Sequence, residues 1–154
     1  IMEKGSIKQS GTPADLYERP NSSFVANFLG EINCLTGEVE EKIGNMVTLS
    51  LGKSGKVKFI AGTVENKEQR CYIRPEKIFF DFAQEQKEPM NSLQGVLISI
   101  DFFGNHTRYQ IELSDGSILK VSLHHRKTVR HKISTGDQVR VLFAVSDVFQ
   151  INEN

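Results

Sequence analysis

The triplet Gly52-Lys53-Ser54 carries the residue types that end a phosphate-binding loop. There the glycine turns the chain, the lysine meets the phosphates and the hydroxyl meets Mg. That chemistry needs another glycine five positions earlier, and position 47 is Val. It also needs a helix behind the loop, so that backbone N–H groups and the helix dipole face the phosphate. Val57 to Ile60 reads as a strand instead. The triplet is therefore expected to be a hairpin turn.

A second cluster holds His124, His125 and His131 among Arg126, Lys127, Arg130 and Lys132. Zinc wants about four converging N or S ligands. His125 and His131 are six apart, neither cysteine is near in sequence, and the adjacent cations oppose a metal ion. The segment reads first as a solvated basic loop. An anion or nucleic-acid contact and a metal site are the other readings. Elsewhere no Gly-x-Ser-x-Gly elbow, no His-Glu-x-x-His and no locally supported Cys/His pair occurs. Asp101, Asp115 and Asp137 each stand beside a turn or strand end, where turn chemistry explains them. Phe102-Phe103 is read as core in preference to a stacking platform for bases.

Composition narrows the classes. The 154 residues suffice for one ordinary domain or two small ones, and 38% apolar with 25% charged content suits a globular chain. Lys+Arg and Asp+Glu stand equal at 19 each, which argues against a nucleic-acid binder that must neutralise phosphates. No apolar run reaches the length of a membrane span. The start, Ile1-Met2-Glu3-Lys4-Gly5, lacks a signal core and reads as an expression boundary. Without a secretory signal, the glycosylation patterns at Asn21 and Asn105 are read as chance. Cys34 and Cys71 are expected to be free thiols of a reducing compartment.

The elements that would position these residues are mostly strands. Lys4-Gly5 turns a short hairpin. Thr12 caps a helix with Pro13 in its first turn, and Pro20 stops it. A second helix starts near Ser22 or Ser23, with Phe24, Val25, Phe28 and Leu29 on one face, and Gly30 is expected to close it in a left-handed conformation. From Leu35 the apolar period becomes two. Strands are expected at 39–43, 46–51, 56–60 and 70–74, then a polar linker at 83–92. From Leu93 further strands follow at 96–100, 108–113, 118–123, 138–144 and 148–151, with a hairpin at Asp115-Gly116.

The halves echo each other. Leu35-Thr36-Gly37 with Gly44-Asn45 parallels Leu93-Gln94-Gly95 with Gly104-Asn105, with two more residues between the second pair of glycines. Gln69 to Arg74 parallels Gln138 to Phe143. This suggests duplication of a small β unit. Many short strands between glycine turns point to closed or partly open five-stranded barrels, because closure removes exposed edges.

Three stretches carry a family resemblance. The first is Gln9 to Gly30, with Thr12-Pro13-Ala14-Asp15-Leu16-Tyr17 and Phe28-Leu29-Gly30. The second is Tyr72-Ile73-Arg74-Pro75-Glu76-Lys77. The third is Gly95 and Gly104, then Tyr109, Asp115-Gly116 and Gly136-Asp137-Gln138-Val139. In this order they resemble the end of an ATP-binding-cassette (ABC) importer ATPase and its transport-associated OB-type (TOBE) domain. The junction Phe28-Leu29-Gly30-Glu31-Ile32-Asn33 leans toward the spermidine/putrescine branch.

The resemblance implies a mostly β fold of OB-like barrel type, with residues 1–30 as the end of a nucleotide-binding domain. Residues 31–154 would be the TOBE domain, in halves 31–82 and 93–154 joined by the polar linker. It implies a cytoplasmic tail, peripheral to the membrane, that regulates and helps dimerise a parent ATPase. The partners would be the chain's own nucleotide-binding domain, a second ATPase subunit and the membrane permease subunits, with no nucleic acid. ATP and Mg would belong to the parent, whose catalytic motifs would precede Ile1. No catalytic, cofactor or metal residue is expected here. The expected regulatory or dimer contacts are Arg74, Glu76, Phe103, Gly104 and Asn105, supported by Tyr109. The alternative is a stand-alone small-ligand or oxyanion module of the molybdate-binding type, motivated by the basic segment 124–132.

Overall fold

The computed structural model describes residues 1–64, 66–81, 89–124 and 133–151. The expected basic segment, His124 apart, and the linker residues 83–88 lie outside the described residues. A short hairpin of β1 (Met2–Glu3) and β2 (Ser6–Ile7) comes first. In α1 (Pro13–Glu18) the Thr12 hydroxyl accepts from the Asp15 N–H and Pro13 fills the first turn, as the sequence requires. Ser22 caps α2 (Ser23–Leu29) through the Val25 N–H. The expected apolar face of α2 is only partly buried: Val25 and Ala26 are inside, while Phe28 is 65% exposed and stacks on Phe24. Gly30 follows at φ 158° and ψ 172°, extended and not left-handed helical.

Among the described residues, nine strands then form one antiparallel sheet. They are β3 (Asn33–Ile43), β4 (Met46–Ser50), β5 (Gly55–Ile60), β6 (Glu68–Ile73), β7 (Phe79–Phe80), β8 (Met90–Phe102), β9 (His106–Glu112), β10 (Ile118–His124) and β11 (Gln138–Ala144). The spatial order β5-β4-β3-β6 is repeated as β10-β9-β8-β11. Each half is a three-stranded meander whose fourth strand returns to the free edge of the first. The fold is mostly β and OB-like. One buried cluster draws on both halves, from Leu35 and Phe59 to Leu119 and Phe143.

The repeats correspond in detail. β3 bulges between Val39 and Glu41, and β8 between Leu97 and Ser99, each just past a glycine. A Cβ on Gly37 would stand 2.6 Å from the Ser50 carbonyl oxygen, and one on Gly95 would strike that of Glu112. No other residue fits either crossing. Gly37 pairs with Gln69, and Gly95 with Val139. Gln69 therefore matches Val139, one residue beyond the correspondence expected from the sequence. The expected register would have set Cys71 against Arg140, and a one-residue slip turns every side chain to the other face. Cys71 and Val141, Ile73 and Phe143 are in fact the matched inward pairs.

Two further expectations are corrected. Met90, Asn91 and Ser92 belong to β8, not to the linker. They enter the sheet because Asn91 satisfies its amide inside, as shown below. Residues 148–151 form no strand: Val145–Asp147 is a 3-10 turn, and Phe149 makes a single bridge to Tyr72.

Candidate functional site

The repeats hold each other by exchanged contacts. Asn33 donates its amide to the Lys120 carbonyl at 2.8 Å and accepts from the Lys120 N–H at 2.8 Å. Asn91 does the same to Lys58, at 2.9 and 2.7 Å. Both asparagines are buried. Each starts the first strand of its own repeat and closes the outer edge of the third strand of the other. The tails obey the same rule: Phe79 pairs with Leu142 on β11, and Phe149 with Tyr72 on β6. Ser54, from the triplet that resembles a phosphate loop, accepts from the Ser114 N–H of the other repeat at 2.7 Å. That triplet is a 3-10 turn running directly into β5, as expected, and its hydroxyl is committed to this contact. It does not fit a nucleotide.

The expected contact residues fall into two clusters. In the first, α1 presents Tyr17 to the turn that ends β6. The Arg74 guanidinium lies 3.6 Å from the centre of the Tyr17 ring, and its Nη2 donates to the Tyr17 carbonyl at 2.8 Å. Arg74 is only 3% exposed, and its Nη1 is buried without a hydrogen-bond partner, beside Gly30. The Tyr17 hydroxyl donates to the Glu76 carboxylate. Burial, reinforced by this bond to an anion, pushes the Tyr17 phenol up to about 12, against the opposing pull of Arg74. Arg74 and Glu76 thus fasten the N-terminal helical segment to the β repeats within one chain.

The second cluster is the tip between β8 and β9. Gly104 has φ 66°, which favours glycine. Phe103 stacks on His106 at 5.1 Å and 7°, with the Arg108 guanidinium 4.8 Å from its ring centre. The Asn105 side-chain oxygen meets His106 Nδ1 at 2.8 Å. Phe102 is 73% exposed and Phe103 half exposed, so neither is the core residue expected. Tyr109 lies away from this tip: it is buried, edge-on to Phe80 at 4.9 Å, and burial raises its phenol. Arg108 pairs with Glu31 at 3.0 Å, next to Gly30.

Cys34 is exposed, Cys71 is buried, and both are free. Among the described residues, no group of three or more His, Cys, Asp or Glu side chains could hold a metal ion. Nor is any described helix long and apolar enough to cross a membrane. Sequence reasoning missed Tyr17, Asn33 and Asn91 as contact residues. The asparagines carried a usable signal, Asn-x-Leu-x-Gly at 33–37 and again at 91–95. Tyr17 carried none.

Residues 71–150 match the family model described as TOBE domain. The spermidine/putrescine import ATP-binding protein PotA of Ruegeria pomeroyi is 30% identical over 143 residues, which are 93% of this chain and 38% of that protein. The PotA protein of Thermotoga maritima is 30% identical over 154 residues, covering 97% and 42%. The putrescine transport ATP-binding protein PotG of Escherichia coli is 29% identical over 149 residues, covering 94% and 39%. The chain thus spans about two fifths of the length of these relatives. Among solved structures, the cytoplasmic molybdate-binding protein ModG superposes with a TM-score of 0.63 at 14% identity, over 78% of this chain and 96% of that one. This likeness concerns the fold alone.

Proposed function

The chain belongs to the TOBE domain family, and on that premise we propose that it is the C-terminal regulatory and dimerising domain of the ATP-binding subunit of an ABC importer of spermidine/putrescine type. The observation that carries the reading is the Tyr17–Arg74–Glu76 joint. It locks a short capped helical segment onto the repeats, as the end of a preceding nucleotide-binding domain must be locked if the tail is to respond to the motor. Residues 1–30 are that end in this account, and residues 31–154 are the tail. The exposed Phe28, stacked on the half-buried Phe24, would pack on the motor. The tail itself is non-catalytic. ATP and Mg belong to the parent, which works in the cytoplasm beneath membrane permease subunits.

The dimer contact is assigned to Phe103, Gly104 and Asn105 with the strand leading to them. The first repeat supplies an internal control. At the bulge it has Glu40, paired with Lys56 at 2.6 Å, where the second has Ile98. It has Lys42 where the second has Ile100, and its hairpin stops before any counterpart of Phe102. At these positions the scaffold is thus content with a charged hairpin, and Ile43 beside its turn is the exposed apolar side chain there. The apolar one, exposed at all three positions, suits a protein partner.

The oxyanion reading has less support. Apart from His124, the basic segment that motivates it lies outside the described residues.

A hybrid tests the proposal. This chain replaces the corresponding C-terminal part of the Thermotoga maritima relative, and Mg-ATP hydrolysis is measured with its permease. The proposal expects no hydrolysis by the chain alone and coupled hydrolysis by the hybrid. Hydrolysis by the chain alone, or a hybrid no better than the truncated motor, would contradict it.

A further inference from the structure

The contacts of the β8–β9 tip reach beyond the hairpin itself. Arg108 is largely buried, and Asp101 stands opposite it on β8. The Asp101 carboxylate accepts from the Ser99 hydroxyl, and the guanidinium turns instead to Glu31 at 3.0 Å. It also lies against the Phe103 ring, 4.8 Å from the ring centre, and that ring in turn stacks on His106. The Arg108 Nε is buried without a hydrogen-bond partner. The guanidinium is therefore held by the carboxylate and the ring, not by a full set of hydrogen bonds.

Glu31 is itself a fixed point. It stands two residues before Asn33, whose amide clamps the Lys120 main chain, and Lys120 Nζ lies 3.9 Å from its carboxylate. Gly30, on its other side, lies against the joint at α1: a Cβ there would stand 3.5 Å from Arg74 Nη1. The junction between the helical segment and the repeats thus touches the Tyr17 joint with one residue and the hairpin with the next.

The first repeat lacks all three groups. Its clamp and register match Glu31 with Pro89 and Arg108 with Met46, and its turn at Gly44-Asn45 leaves no position for Phe103. The scaffold folds without acid, arginine or ring. The three occur together in the repeat that carries the apolar hairpin.

We infer that Glu31 and Arg108 are positioning residues, which set the Phe103 ring at the hairpin tip according to where the junction lies. The consequence for association rests on the dimer contact proposed above. A side chain ordered in advance loses less freedom when it enters an interface. With Glu31 in place the ring is ordered and the contact is strengthened. A displacement of the helical segment that withdraws Glu31 releases the ring and loosens the contact.

Nuclear magnetic resonance of the chain tests the positioning, and sedimentation of the hybrid with the Thermotoga maritima motor tests its use. The unaltered chain should show nuclear Overhauser contacts between the Phe103 and His106 rings. Glu31→Gln, a change to a partly exposed side chain, should remove them. Arg108→Met, the residue type of the first repeat, should do the same. The paired exchange of Glu31→Arg with Arg108→Glu should restore the unfolding midpoint lost in each single variant. It should not restore the ring contacts, because the negative face of a ring attracts a cation and repels a carboxylate. Ring contacts that persist in Glu31→Gln would overturn the inference. So would their return in the paired exchange, which would make the ion pair merely structural. In the hybrid, Glu31→Gln should weaken self-association about two- to tenfold, the effect of leaving one side chain to be ordered on binding. Rings that separate while association holds would overturn the dimer contact and leave the positioning standing.

Discussion

Lys77 and Asp147 hold the same position in the two repeats, and they meet each other: Lys77 Nζ lies 2.8 Å from Asp147 Oδ1. A residue can meet its own counterpart only where the approximate two-fold relation between the halves passes close by. The hydrogen bond to Asp147 is the largest influence raising the Lys77 ammonium above its ordinary value. Both side chains are partly exposed, so the pair should contribute under about 1 kcal/mol. The informative experiment is therefore the exchange. Lys77→Asp and Asp147→Lys should each lower the urea midpoint through like charges, and the double exchange should restore it.

The asparagine clamps matter more. Asn33→Leu strands the N–H and C=O of Lys120 at a buried edge, and Asn91→Leu does the same to Lys58. Each unsatisfied buried group costs about 1–3 kcal/mol. Each variant should lose about 2 kcal/mol or more by urea unfolding, with similar losses for the two. A loss confined to one asparagine would deny the reciprocity.

The joint at Tyr17 has a pH signature. Its folded value, about 12, exceeds the ordinary value of 10.0. A raised value stabilises the fold fully below the unfolded pKa, and the gain is lost as pH rises through the folded one. Docking of α1 should therefore weaken between about pH 10 and 12. Nuclear magnetic resonance of ring-labelled tyrosine should find Tyr17 titrating late. Glu76→Gln should lower the midpoint without normalising it, because burial is the larger cause. A Tyr17 that titrates like free tyrosine would deny the contact.

The apolar hairpin makes a contrasting prediction. Ile100→Lys, the residue type of the first repeat, and Phe102→Glu both alter exposed side chains. Both should leave the unfolding free energy within about 0.5 kcal/mol of the unaltered chain. In the proposed parent ATPase both should weaken the proposed self-association, read by sedimentation. A large loss of stability in the isolated chain would mean that the hairpin packs internally.

The legible parts of this fold were those fixed by local chemistry. Thr12 and Pro13 announced α1, Asp115-Gly116 announced its hairpin, and Val47 ruled out a phosphate loop. Glycines 37 and 95 announced the duplication because each allows a strand to cross a carbonyl that no Cβ could pass. What stayed hidden was set by distant partners. Asn91 looked like linker because its value lies in an edge on β5, thirty-three residues away. The register of β11 slipped because Gln69 and Gln138 are alike in type but face opposite ways. Tyr17 gave no sign because a tyrosine on a short helix is ordinary until Arg74 lies beneath it.

The size of the native polypeptide tests the central claim most directly. The chain of 17.4 kDa covers 38% of its relative from Ruegeria pomeroyi. An antibody raised to the chain should therefore detect, in a lysate of the source organism, a band of roughly two and a half times that mass, as an added nucleotide-binding domain requires. A single band at the size of the chain itself would contradict the account of a tail joined to a motor.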